Sequence, residues 1–205
     1  MTTQPSGLRI DIGEFINFYP LRGPNIMWLL GAGASASAGV PTASSLTWEF
    51  KRQLYCTTHC LPISRFPNLN DKGFQSRVQS HFDAAAGYPR DGDAGEYSFY
   101  FQRYLPDEGD RRRYIDSRLH GLKPSYGHIC LAALIALGKA GCVWTTNFDQ
   151  LIERAAALNV IAARMPQGMA TAGVGRPDRA VDLFRDGQPP LLVKLHGDYL
   201  LRRLK

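Results

Sequence analysis

The chain predicts an α/β protein with a Rossmann-like parallel sheet, a helical insertion and a sheet that is incomplete at its C-terminus. Three observations predict this. Short apolar runs occur at residues 25–30, 142–145 and 191–195. Helical patterns separate them, and each run ends in small or polar residues. Strands that are apolar throughout are buried on both faces, which is what helices on the two sides of a parallel sheet provide.

Asn25-Ile26-Met27-Trp28-Leu29-Leu30 is the first such run, and Gly31 ends it. Thr42, Ser44 and Ser45 then offer helix N-caps ahead of Leu46, Phe50 and Leu54, which recur every four residues. A strongly apolar helix starts near Pro124, a favoured first-turn residue, and stops at Gly138 or Gly141. The strand Cys142-Val143-Trp144-Thr145 follows, then a helix from Phe148 to about Leu158. Pro189-Pro190 introduces the last run, Leu191-Leu192-Val193-Lys194-Leu195. Two stretches interrupt the alternation. Residues from about 57 to 123, rich in aromatic residues and arginine, read as a helical insertion beside the sheet, with helical patterns near 71–86 and 110–122. Residues 164–188 are rich in glycine, proline and arginine and read as a long loop across the ligand mouth.

Composition sets the class. Hydrophobic residues make up 44% of the chain and charged residues 20%, as in an ordinary globular protein. The 205 residues suit one domain, which would bury roughly 70% of its unfolded surface. A net charge of +6 suits an anionic ligand but also a generic basic surface. The first residues, Met1 to Gly7, lack the basic region and apolar run of a secretory signal, and the apolar stretch 129–137 is too short for a bilayer. A soluble, cytoplasmic protein with no membrane partner is expected. Cys56 and Cys60 bracket His59, but no second ligand pair accompanies them, so no metal is assigned. Arg111-Arg112-Arg113 with Arg118 reads as a solvated helix face rather than a nucleic-acid surface.

Three motifs carry chemistry. Gly31-Ala32-Gly33-Ala34-Ser35 sits where a strand gives way to a helix, and its glycines allow a tight turn and close approach to a pyrophosphate. The segment after it, through Gly39-Val40-Pro41, is too interrupted for a long helix. Gly-Lys-Ser/Thr is absent, which excludes a Walker-type triphosphate loop, and no acidic residue is placed to hold an adenine ribose as in a standard dehydrogenase. Thr145-Thr146-Asn147-Phe148-Asp149 follows the second strand, where open α/β sheets bind ligands. Asn147 can bind ribose hydroxyls or a water, and Asp149 can accept from an amide or cap the next helix. His196, followed by Gly197-Asp198, follows the third strand. Three strand ends converging on one rim make a ligand site.

In this order, Gly-Ala-Gly-x-Ser with Gly-x-Pro, Thr-x-Asn-x-Asp and a strand ending in His-Gly resemble sirtuin-type NAD-consuming domains, over roughly residues 26–199. Pro124 and His128 look like that family's lead-in to its asparagine motif. The resemblance implies NAD as substrate. It implies that Gly31, Ala32, Gly33, Ala34, Ser35 and Pro41 hold the dinucleotide, with Thr146, Asn147 and Asp149 around the nicotinamide ribose. Asn147 and His196 would be catalytic: Asn147 orders the nucleophile and His196 acts as general base on a ribose hydroxyl or water. Developing positive charge on the ribose suits a nearby carboxylate or amide dipole, and a neutral histidine suits proton transfer near neutral pH.

The chain also departs from the family. Thr42-Ala43-Ser44 stands where protein deacylases carry Asp-Phe-Arg, Thr146 replaces glutamine and Phe148 replaces isoleucine. Every cysteine precedes His196, whereas the family's zinc cysteines follow the histidine. These departures favour the divergent branch that hydrolyses NAD, often in prokaryotic anti-phage defence. An NAD-dependent protein deacylase and a non-catalytic NAD-binding or remnant module are the alternatives. Only Gly197 to Lys205 follow His196, so an incomplete sheet is expected, with a second copy or a separate effector or sensor domain as partner.

Overall fold

The computed structural model describes residues 10–165, 168–173, 177–186 and 191–195. The chain divides into two compact units, Met1–Ser35 with Lys123–Lys205, and Ala36–Leu122.

The first unit is built on a four-stranded, all-parallel sheet, β1 (Met27–Leu30), β2 (Cys142–Thr145), β3 (Ala170–Gly173) and β4 (Leu191–Lys194), in the order β1-β2-β4-β3. It is an α/β fold of Rossmann-like type. The register aligns Leu30, Thr145, Lys194 and Gly173 in one rung, so the carboxyl ends of the four strands lie level.

α1 (Ile12–Arg22) opens the described chain. Its capping box is not among the sequence expectations: Glu14 N donates to Asp11 Oδ1 at 2.9 Å, and Asp11 N to Glu14 Oε2 at 3.3 Å. The Tyr19 hydroxyl donates to the Lys139 carbonyl at 2.8 Å, which joins α1 to the turn before β2.

The helices between strands divide by face. α7 (Tyr126–Ala136), α8 (Leu151–Ala156) and α9 (Asn159–Ala162) bury Leu131, Ile135, Ile152, Ala155 and Ile161 in one cluster with Val143 and Leu192. α10 (Pro177–Arg185), between β3 and β4, puts Leu183 against Cys142, Ala172, Leu191 and Val193 on the other face. The chain runs from β2 past β4 to β3 and then returns, and right-handed connections in opposite directions place their helices on opposite faces. α7 ends where Gly138 takes φ +66°, with Lys139 N donating to Leu134 O at 2.8 Å. That left-handed residue selects Gly138 over Gly141 as the stop.

Two expectations are corrected here. Residues 164–188 are not one long loop, because β3 and α10 form within them. β3 reads Ala-Thr-Ala-Gly and has no apolar run to announce it; its backbone pairing with β4 makes it a strand. The helix expected at 148–158 is shorter, Leu151–Ala156, and α9 follows it as a separate turn from Asn159. Asn147, Phe148 and Asp149 stay outside it, in a loop held by side-chain bonds.

The second unit is helical: α3 (Ala43–Thr58), α4 (Lys72–Asp83), α5 (Glu96–Tyr104) and α6 (Glu108–Leu119). It begins at Ala36 and so takes in α3 as well as the stretch expected to be helical. Thr42 caps α3 through Ser45 N at 3.2 Å, and Asp71 caps α4 through Phe74 N at 2.6 Å. Its core is aromatic. Phe50, Phe82 and Tyr100 are buried, and Phe50 stacks on Phe101 at 4.9 Å. The arginines of α6 are engaged within this unit: Arg112 with Glu108 and Arg113 with Asp110 at 2.5 Å, and Arg118 with Glu49. Among the described residues, no helix is long and apolar enough to cross a membrane. No three metal-binding side chains are grouped among the described residues.

Candidate functional site

The site forms in the first unit from the loops after β1 and β2, the end of β4 and His128 of α7. After β1 the chain turns at once: Ala34 N donates to Gly31 O at 2.9 Å and Ser35 N to Ala32 O at 3.2 Å. This starts α2 (Gly33–Ala36), a single turn, as the interrupted sequence predicts. Neither Gly31 nor Gly33 takes positive φ. A Cβ on Gly33 would meet nothing within 4 Å, and one on Gly31 would lie 3.8 Å from Thr146 Oγ1. The backbone therefore does not itself require glycine at Gly33, and the open space at its Cα fits the close approach of a ligand. Ala32 is exposed and Ala34 is half-buried beside it.

After β2, Thr146 N extends the pairing to Leu30 O at 3.0 Å and fixes the start of the loop against β1. Asn147 N donates to Thr145 Oγ1 at 3.0 Å, which turns the chain out of the strand. The Asn147 side chain reaches across: Nδ2 donates to Gly31 O at 3.0 Å and to Ser35 Oγ at 2.9 Å. A carbonyl opposite requires the amide nitrogen at that position, so the orientation of the amide follows from the network. Both amide hydrogens are used, which leaves Oδ1 to serve a ligand as an acceptor.

Ser35 is the hub of the site and is almost wholly buried. Its hydroxyl donates to Asp149 Oδ2 at 2.7 Å. Asp149 is buried as well, and its other oxygen accepts from Leu151 N at 3.0 Å, opening α8. The carboxylate therefore holds the first N–H of α8 and the glycine loop at the same time.

His128, on α7, completes the hub. Its Nε2 lies 3.4 Å from Ser35 Oγ, and its Nδ1 lies 3.2 Å from Ser125 N and 2.7 Å from Ser125 Oγ. The backbone N–H of Ser125 can only donate, so Nδ1 is the bare nitrogen and Nε2 carries the proton toward Ser35. Burial pushes the imidazole below its ordinary value of 6.5, while the Asp149 carboxylate pulls weakly the other way. The ring is neutral, a donor to Ser35 and not a base for it. In a catalytic triad the carboxylate orients the histidine, whereas here serine contacts both. Ser35 is a structural hydroxyl with one donor and two acceptor positions filled.

β4 contributes a residue that its sequence signal hides. Lys194 is fully buried, donating to the Asp149 carbonyl at 2.6 Å and pairing with Glu153 Oε1 at 2.6 Å. A lysine at a strand end reads as a surface charge, and only the fold reveals its partner 45 positions away. His128 is legible as part of the helix lead-in, but its contact with Ser35 is not.

The first unit thus brings together Gly31, Ser35, Thr146, Asn147 and Asp149, with Ala32, Gly33 and Ala34 in the same turn. Pro41 belongs to the helical unit, just before the Thr42 cap of α3. His196 lies outside the described residues, two positions past the end of β4. Fold and site define a Rossmann-like α/β protein with a buried polar network at the carboxyl ends of its parallel strands. No protein-family model matches the chain, and no curated protein matches it significantly.

Proposed function

We propose that the chain is a sirtuin-like NAD glycohydrolase that cleaves the bond between nicotinamide and ribose. One observation carries this reading. The Asn147 side chain bonds both Gly31 and Ser35, which joins the glycine motif to the asparagine motif at the rim where open α/β sheets bind ligands.

In hydrolysis the bond from ribose C1′ to the nicotinamide nitrogen breaks, its electron pair neutralises the pyridinium, and water adds to C1′ with loss of one proton. The residues divide that work. The amides of Ala34 and Ser35 are used in the turn, so those of Ala32 and Gly33 face the pyrophosphate. Asn147 Oδ1 accepts from a ribose hydroxyl or from the attacking water. Asp149, anchored through Ser35 and Leu151 N, keeps lone pairs for the nicotinamide amide and sets negative charge near the developing positive ribose. His196 takes the proton. The family likeness adds a role in anti-phage defence to the same proposal.

The test is nicotinamide release from NAD by the full chain, with and without an acyl-lysine peptide. Release that needs no peptide supports hydrolysis. Release only with peptide would replace it by protein deacylation, and NAD binding without release by a non-catalytic module.

A further inference from the structure

Lys194 occupies a place where a parallel sheet usually takes an aliphatic residue, since Leu191, Leu192 and Val193 before it are all buried. Burying an ammonium is unfavourable unless its donors find partners. Glu153 supplies the opposite charge at 2.6 Å from α8. Another bond, also 2.6 Å, goes to the main-chain carbonyl of Asp149. The ammonium therefore grips both the residue whose carboxylate holds Ser35 and the helix whose first N–H this carboxylate accepts.

From Asp149 the bonds run on to Ser35, Asn147 and Gly31. This chain of contacts links the end of β4 to the glycine loop after β1 through the loop after β2. We propose that Lys194 is a positioning residue that fixes the aim of the Asp149 carboxylate and, through Ser35, the shape of the glycine loop. Its activity arm rests on the NAD reading above; its structural arm does not.

The experiment uses the full chain as wild type, Lys194→Met, Asp149→Asn and the two combined. Lys194→Met/Glu153→Gln is added because it removes the buried charges as a pair and keeps the fold if Lys194→Met alone does not. Without ligand, amide hydrogen exchange in residues 31–36 should quicken about fivefold or more in the lysine variants, while α5 exchanges as in wild type. With NAD, Lys194→Met should lower kcat/KM for nicotinamide release about tenfold, and Asp149→Asn should then cost much less than it does alone. Unchanged exchange at 31–36 in a folded lysine variant, or additive losses with Asp149→Asn, would overturn the proposal. If wild type neither binds nor cleaves NAD, the NAD reading falls, and the exchange measurement still decides the role of Lys194.

Discussion

Ser35 and Asp149 stand 114 positions apart and meet at 2.7 Å, the serine hydroxyl donating to the carboxylate in a buried setting. That single bond ties the loop after β1 to the loop after β2. The hydroxyl also lies 2.9 Å from Asn147 Nδ2 and 3.4 Å from His128 Nε2, so its three hydrogen-bonding positions are filled. A hydroxyl held this way organises a site and does not attack a substrate.

Ser35→Ala should therefore act as a structural lesion. It leaves Asp149 Oδ2, Asn147 Nδ2 and the His128 ring without the partner they share, and a loss of about 1–3 kcal/mol in urea unfolding is expected. A fluorophosphonate, which labels nucleophilic serines, should leave wild-type Ser35 unmodified. Labelling at Ser35 would show a free nucleophile and contradict the hub.

Gly33→Ala separates fold from binding. The added Cβ meets nothing within 4 Å and the position has no positive φ, so stability should stay within about 0.5 kcal/mol of wild type, as for a benign surface change. NAD affinity, measured by calorimetry, should fall about tenfold or more, because the methyl occupies the space a phosphate needs; tenfold corresponds to about 1.4 kcal/mol. Equal affinity for both proteins would remove the glycine loop from the binding site.

The buried His128 makes stability depend on pH. Its folded pKa is lowered, so the folded state favours the neutral ring and the unfolded state takes up the proton first. The stabilisation is whole above the ordinary value of 6.5 and is lost as pH falls through it toward the lowered folded value. Protonation would also set an N–H at Nδ1 against the Ser125 N–H that it now accepts. Urea midpoints taken from pH 8 to pH 5 should decline more steeply in wild type than in His128→Gln. Parallel profiles would mean that the ring is not held neutral.

Leu192 lies fully buried between helix-covered faces in the second-to-last strand of the sheet order. Leu192→Ala should cost about 2–5 kcal/mol, the range for emptying a packed core position. A smaller loss in denaturant unfolding would mean that the sheet can collapse onto the gap.

Much of the fold was legible because the signals are local. β1, β2 and β4 announce themselves as apolar runs, Thr42 as a cap, and α4 as the helical pattern near 71–86. β3 was not legible: its small residues carry no hydrophobic pattern, and its strand geometry comes from pairing with β4. α5 hid in an aromatic stretch whose residues pack into the core of the helical unit without a clean stripe. In the site, the motifs gave Gly31, Ser35, Asn147 and Asp149, since each follows a strand. Lys194 and the contact of His128 with Ser35 depend on long-range placement, which no spacing in the chain encodes.

NAD cleavage is proposed to depend on Asn147, which sits at the carboxyl end of β2, and on His196. The most direct measurement is chromatographic quantification of nicotinamide and ADP-ribose formed from NAD by wild type, Asn147→Ala and His196→Ala, each verified as folded. The account predicts equimolar nicotinamide and ADP-ribose from wild type and none above background from either variant. Hydrolysis at the wild-type rate in both variants would contradict it.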